Sequence, residues 1–189
     1  MEDDERRSRR RPLHQELLDH LADEINVDVT RVFAAGHSLG GRFVHELGTR
    51  DPERFRAIAD VSGFYGTSIG QPAAPPPGTL LPVLIVHGAL DLTVPPGGGP
   101  GLLFPNVNFQ PTQFTYDSWY ANNGCTEPTF RLLSIIALLV DIQRTNCTAS
   151  RSVRAVEFVS VASLGHHWPA IPDDFYDASS EMLAFFDSQ

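Results

Sequence analysis

Apolar residues recur at helical spacing in three stretches of the chain. Leu13, Leu17 and Leu21 predict an amphipathic helix over 12–25 whose far side is polar. A second helix is expected after Ser38, ending at the Asp51-Pro52 stop. The third covers 173–187, with Asp173 or Asp174 near its N-cap.

Short β-branched and apolar runs separate these helices. They predict buried strands over 31–35, 55–63, 81–88 and 153–162. Helices that alternate with short buried strands indicate an α/β protein with a mostly parallel sheet. Two Pro/Gly-rich stretches, 71–78 and 95–101, are expected to be surface loops rather than linkers.

The longest apolar run, 132–140, holds nine residues, far short of the roughly 20 that span a bilayer. We expect it to be a buried segment, and no membrane partner is predicted. At 189 residues the chain is long enough for one domain, expected over 12–189, behind a charged disordered tail at 1–11.

The net charge of −9 at pH 7 disfavours general nucleic-acid binding. No signal peptide is visible in the first thirty residues. Cys125 and Cys147 lie 22 positions apart and fit either two buried thiols or one disulfide, and a disulfide indicates an oxidising compartment.

The stretch Gly36-His37-Ser38-Leu39-Gly40 carries the first candidate chemistry. It lies between a predicted strand and a predicted helix, the context in which G-x-S-x-G marks a serine nucleophile on a sharp turn. The alternative is a purely structural strand-to-helix turn. In the catalytic reading, small residues two positions either side of Ser38 let strand and helix approach closely.

A serine nucleophile needs a base, and that base needs a carboxylate to orient it. Asp91 follows the predicted strand 81–88, and His166 and His167 follow the predicted strand 153–162. The order Ser, Asp, His is that of α/β-hydrolases, and all three loops fall on one edge of a parallel sheet.

Metal and phosphate chemistry fit less well. His45-Glu46 begins like a zinc-protease motif, but Thr49 stands where the second histidine belongs. The adjacent His166 and His167 point apart on extended backbone. No phosphate-binding G-x-x-x-x-G-K-[ST] pattern occurs, and no metal or organic cofactor is predicted.

Five stretches together resemble the polyhydroxybutyrate depolymerase/feruloyl esterase family, which comprises secreted serine esterases of the α/β-hydrolase fold. They are "VTRVFAAGHSLGGRF", "RFRAIADVSGFYG", "PVLIVHGALDLTVPPGGG", "WYANNGC" and "LGHHWPA". The resemblance runs from about residue 15 to the C-terminus. It implies an extracellular enzyme acting on an ester of a plant polysaccharide or on a hydroxyalkanoate polyester.

The resemblance also implies roles for individual residues. Ser38 is then the nucleophile, Asp91 the triad acid and His166 the base, with His167 at a variable position. His37 and Trp168 become substrate-binding residues. By the same resemblance Cys125 and Cys147 form a disulfide.

The region upstream of Ser38 departs from the family. Only 37 residues precede Ser38, whereas one β-α-β unit takes roughly 30 residues. We therefore expect an α/β-hydrolase that lacks its N-terminal strands and the loop that donates one oxyanion N–H. The backbone N–H of Leu39 is left as one oxyanion donor. The sequence leaves open a truncated product, a fragment of a longer sequence, and a shortened protein whose exposed sheet edge a partner chain covers.

Three functions fit these observations. One is an active carboxylic ester hydrolase, and the second is a catalytically silent fragment that keeps the triad residues. The third is a carbohydrate- or polymer-binding module that stacks ligands on Trp119, Trp168 and nearby tyrosines.

Overall fold

The structure is a computed structural model that describes residues 13–67, 70, 80–125, 130–133, 140–145 and 156–189. The predicted tail at 1–11 lies outside these residues. The helices are α1 (Leu13–Glu24), α2 (Leu39–Arg50), α3 (Thr112–Asn122) and α4 (Ala178–Asp187), with a 3₁₀ turn at Pro52–Arg54. The strands are β1 (Phe33–His37), β2 (Ala57–Val61), β3 (Val83–Gly88), β4 (Gly99–Gly101), β5 (Phe104–Phe109), β6 (Phe130–Leu133), β7 (Val140–Thr145) and β8 (Val156–Val161).

The main sheet has six strands in the order β1-β2-β3-β8-β7-β6. The first four run parallel to one another, while β7 and β6 are antiparallel to their neighbours. The short strands β4 and β5 form a separate antiparallel pair. The prediction of a mostly parallel α/β sheet is therefore confirmed.

Successive residues of a strand point to opposite faces, which gives the sheet two cores. On one face Ile58 and Val83 pack with Val44 of α2 and Trp119 of α3. On the other face Leu84, among others, packs with Phe185 and Phe186 of α4. The sheet is thus the middle layer of an α/β/α sandwich.

Three parts of the fold differ from the sequence-based expectations. Helix α4 starts at Ala178, because the Asp177 carboxylate caps it by accepting a hydrogen bond from the Ser180 N–H. Neither Asp173 nor Asp174 is the cap. Helix α3 and the β4–β5 pair were not predicted at all, and the apolar segment 132–140 contributes parts of β6 and β7. Residues 134–139 lie outside the described part, so the predicted burial of that segment stays a prediction.

Helix α1 forms where its apolar spacing predicts, but none of its residues is buried among the described residues. Leu13, Leu17 and Ile25 are more than half exposed. Within the described strands, β1 lies at the end of the sheet and pairs with β2 alone. No helix in the described ranges has the length and apolar character needed to cross a membrane.

Candidate active site

Ser38 lies on a strained turn between β1 and α2. Its backbone has φ 58° and ψ −117°, a conformation that costs free energy for any residue other than glycine. The Ser38 N–H donates to the Val61 carbonyl of β2, at 2.9 Å, which ties the turn to the sheet. This is the geometry expected of a nucleophile elbow.

Two glycines permit the close approach around this turn, and they are not both the predicted ones. A Cβ on Gly36 would lie 2.2 Å from the backbone of Gly40, so strand and helix meet there without a side chain between them. A Cβ on Gly40 would meet nothing within 4 Å, so Gly40 does not serve this purpose. The second required glycine is Gly41, where a Cβ would lie 2.0 Å from Asp60 Oδ1.

Ser38, His166 and Asp91 form one hydrogen-bonded series. The Ser38 Oγ lies 2.8 Å from His166 Nε2, and His166 Nδ1 lies 2.7 Å from Asp91 Oδ2. The parallel pairing of β3 with β8 puts the loops that carry Asp91 and His166 side by side beyond the strand ends. With Asp91 ionised, His166 carries its proton on Nδ1 and presents a free Nε2 to the serine.

The two carboxylate oxygens of Asp91 have separate partners. Oδ1 accepts hydrogen bonds from the N–H groups of Thr93 and Val94, both at 2.9 Å, while Oδ2 faces His166. His87 Nε2 lies 2.9 Å from the Val94 carbonyl and 3.4 Å from Asp91 Oδ2. The carboxylate is almost completely buried. Asp91 is therefore both the cap of its own loop and the partner of His166.

His37 lies beside His166 but outside the hydrogen-bonded series. The two ring centroids are 5.0 Å apart, and His37 Nε2 is buried with no hydrogen-bond partner among the described residues. Burial lowers the pKa of His37, and positive charge on His166 lowers it further. The lowered pKa favours the neutral form of His37 at neutral pH, so His37 adds little positive charge next to His166, the candidate catalytic base.

A cavity of about 390 Å³ opens beside Ser38. This volume lies within the roughly 300–1,000 Å³ that ligand pockets occupy. Besides Ser38, Leu39 and Arg42 from the start of α2 contribute to its lining. Its apolar wall comes from three phenylalanines and two valines: Phe64, Val94, Phe104, Val107 and Phe109.

Leu39 is the first residue of α2, so its N–H has no acceptor within the helix. The positive end of the helix dipole lies at the same place. Both features suit an oxygen that gains negative charge next to Ser38 Oγ.

Comparison with known proteins agrees with this arrangement at the level of family and fold. Residues 2–128 match the model of a family described as "Putative esterase". The chain belongs to this esterase family. No curated protein matches the chain in sequence.

Among solved structures, the chain is similar to acetyl xylan esterase from Aspergillus awamori, with a TM-score of 0.60 at 15% sequence identity. The match covers 89% of this chain but only 64% of that one. At this identity the likeness shows the shared α/β fold. The specific polyhydroxybutyrate depolymerase or feruloyl esterase assignment stays a prediction.

The two tryptophans predicted to stack on or bind ligands, Trp119 and Trp168, are not among the described residues that line the cavity beside Ser38. Trp119 is completely buried, and its indole N–H donates to His45 Nδ1 at 3.0 Å, so it has no face to offer a ligand. The proposed stacking role of Trp119 is therefore wrong. Trp168 packs against the core and donates to Ser179 Oγ of α4, and it is not among the residues that line the cavity.

His45, the first residue of the zinc-like motif, has both ring nitrogens engaged within the protein. Its Nε2 lies 2.9 Å from Asp60 Oδ2 and its Nδ1 accepts from Trp119. Since an indole N–H can only donate, His45 is the neutral tautomer with both nitrogens occupied. His167 likewise faces away from His166, with Nε2 3.0 Å from Asp174 Oδ1.

Cys125 is buried in the core cluster beside α3. Cys147 lies outside the described residues, so their pairing stays a prediction.

Proposed function

We propose that this protein hydrolyses carboxylic esters through an acyl-enzyme on Ser38. The observation that supports it most is the continuous series from Ser38 Oγ through His166 to Asp91, with hydrogen bonds of 2.8 and 2.7 Å. The strained turn, the cavity and the esterase family of the chain agree with this proposal.

In the first step Ser38 Oγ forms a bond to the ester carbonyl carbon while its proton moves to His166 Nε2. The electron pair of the carbonyl moves to its oxygen, next to the Leu39 N–H. When the tetrahedral species collapses, the C–O bond to the alcohol breaks and the leaving oxygen takes the proton from His166. Ser38 then carries the acyl group.

In the second step water attacks the acyl carbon and gives a proton to His166. Collapse returns that proton to Ser38 Oγ and releases the acid. Asp91 holds the Nδ1 proton in place and stabilises the imidazolium, but it does not itself become protonated.

The proposed substrates are feruloylated or acetylated plant polysaccharides and hydroxyalkanoate polyesters, which would place the protein outside the cell. All three alternatives follow from the sequence resemblance, and the name of the similar esterase agrees with the acetyl alternative. The cavity has more room than an acetyl group fills, which favours the larger acyl groups.

The test is hydrolysis of p-nitrophenyl acetate and methyl ferulate by the purified protein and by Ser38→Ala. We expect turnover of at least one ester that disappears in the variant. Equal inactivity of both proteins, each with a cooperative thermal transition, would contradict the proposal.

A further inference from the structure

Among the described residues, Arg42 is the only charged one that lines the cavity next to Ser38. Arg42 lies one helical turn after Ser38, and its backbone N–H donates to the Ser38 carbonyl at 3.1 Å. Residues four apart on a helix share a face, so its side chain starts from the same side of α2 as Ser38. The remaining walls are almost entirely apolar.

The guanidinium of Arg42 is weakly engaged by the protein itself. Among the described residues, its nearest carboxylate is that of Glu46, at 4.0 Å, which is beyond hydrogen-bond distance. Glu46 is held much more closely by Arg50, whose Nε lies 2.5 Å from the other carboxylate oxygen. Within the described residues, Arg42 therefore retains guanidinium donors that no side chain uses, although only about a third of the side chain is exposed.

A partly buried arginine in the lining of a largely apolar cavity has a clear chemical complement. Its planar fork of N–H groups matches the two oxygens of a carboxylate. One positive charge balances a singly charged anion, whereas a dianion would need further donors that these apolar walls do not offer. In the wall of the cavity the rings of Phe64 and Phe109 meet edge to face, with their centroids 4.8 Å apart. Such an aromatic wall suits a flat apolar body.

We propose that Arg42 selects esters whose apolar, aromatic-sized body carries a second, free carboxylate. This inference rests on the proposed function, because it assigns a substrate class to the same cavity. Arg42 binds the free carboxylate, which holds the reacting ester carbonyl over Ser38. A neutral ester of the same shape lacks this contact and leaves the guanidinium unpaired.

The test compares two esters that differ mainly in that group, monomethyl terephthalate and methyl 4-methylbenzoate. The measured quantity is the ratio of their kcat/KM values in the wild type, Arg42→Gln, Arg42→Lys and Arg31→Gln. Arg31→Gln is the control, since it removes the same charge at an exposed site that pairs with Asp187 and does not line the cavity.

We expect the wild type to prefer the anionic ester. The ratio should fall by about 10- to 100-fold in Arg42→Gln, the range of a charged hydrogen bond. Arg42→Lys should restore part of it, and Arg31→Gln should leave it unchanged. A ratio that is the same in Arg42→Gln and the wild type, or that falls equally in Arg31→Gln, would overturn the inference.

A binding measurement separates this inference from the proposed function. In a Ser38→Ala background the ester is not consumed, so the Kd of monomethyl terephthalate is measured directly by calorimetry, with and without Arg42→Gln. A Kd at least 10-fold weaker with Arg42→Gln supports the inference even if the wild type turns over no ester. An unchanged Kd overturns it, while Ser38-dependent cleavage of methyl 4-methylbenzoate would leave the proposed function intact.

Discussion

Ser38 and Ser62 occupy equivalent positions at the ends of two adjacent parallel strands. Both have positive φ, 58° and 52°, and each donates its N–H to the next strand, to Val61 and Val86 respectively. Their hydroxyls differ sharply. Ser38 Oγ reaches His166, whereas Ser62 Oγ is buried with no hydrogen-bond partner among the described residues. A serine with positive φ at a strand end is therefore not enough to predict a nucleophile, since of these two serines only Ser38 is hydrogen-bonded to a histidine.

This pair supplies a matched test of the nucleophile. Ser38→Ala is expected to lower kcat by at least about 10³-fold, because among the described residues no other hydroxyl is hydrogen-bonded to His166. Ser62→Ala removes an equally strained serine and should leave kcat within about threefold of the wild type. The measurement is steady-state hydrolysis of p-nitrophenyl acetate. Similar losses in the two variants would contradict a specific role for the hydroxyl of Ser38.

Asp91→Asn is expected to lower kcat by about 10⁴-fold. The N–H groups of Thr93 and Val94 require an acceptor at the Oδ1 position, so the amide oxygen of the new side chain stays there. Its NH₂ group must then face His166 Nδ1, which favours the tautomer with a proton on Nε2. That tautomer cannot accept the proton of Ser38.

The exposed Asp117→Asn is the control for this substitution and should keep full activity. A thermal melt of Asp91→Asn close to that of the wild type would show that the loop is still held. Near-normal kcat in a folded Asp91→Asn would contradict the orienting role of the carboxylate.

Gly41→Ala should destabilise the protein by about 2 kcal/mol or more, while Gly40→Ala should be nearly neutral. A methyl group at Gly41 would collide with Asp60 Oδ1 at 2.0 Å, and Asp60 is fully buried beside His45. A methyl group at Gly40 meets open space and adds helix propensity. Chemical unfolding of the two variants measures the difference, and equal stabilities would contradict the close approach of α2 to Asp60.

His37 makes folding stability depend on pH. Burial holds its pKa in the folded protein below the ordinary histidine value of 6.5, so below about pH 6.5 the unfolded chain binds a proton that the folded chain does not. Stability contributed by neutral His37 is therefore lost as the pH falls from about 7 towards 5. His37→Gln should show a smaller fall in melting temperature over this range, whereas the exposed His20→Gln should behave as the wild type does.

The sequence predicted most of the site because strand ends and parallel pairing are readable from apolar runs. Ser38, Asp91 and His166 each follow such a run, and parallel strands bring those ends to one edge. Spacing alone did not separate His166 from His167. The structure separates them, since His167 faces Asp174.

What the sequence missed depends on contacts between distant segments. Gly41 is required by Asp60 on the neighbouring strand, not by the G-x-S-x-G pattern around Ser38. Trp119 belongs to a residue type that often stacks on ligands, but here it is completely buried and its indole N–H donates to His45. Arg42 carries no sequence signal, because only the folded structure shows that it lines a largely apolar cavity.

The most direct test of Ser38 as the proposed nucleophile is its covalent labelling. A fluorophosphonate ester reacts with a serine only when a neighbouring base activates its hydroxyl, and the adduct is read by intact-protein mass and peptide mapping. We expect one adduct, on Ser38, that is absent in Ser38→Ala, strongly slowed in His166→Ala and unchanged in Ser62→Ala. A folded wild-type protein that takes up no label, or takes it up on another residue, would contradict the assignment of Ser38 as the nucleophile.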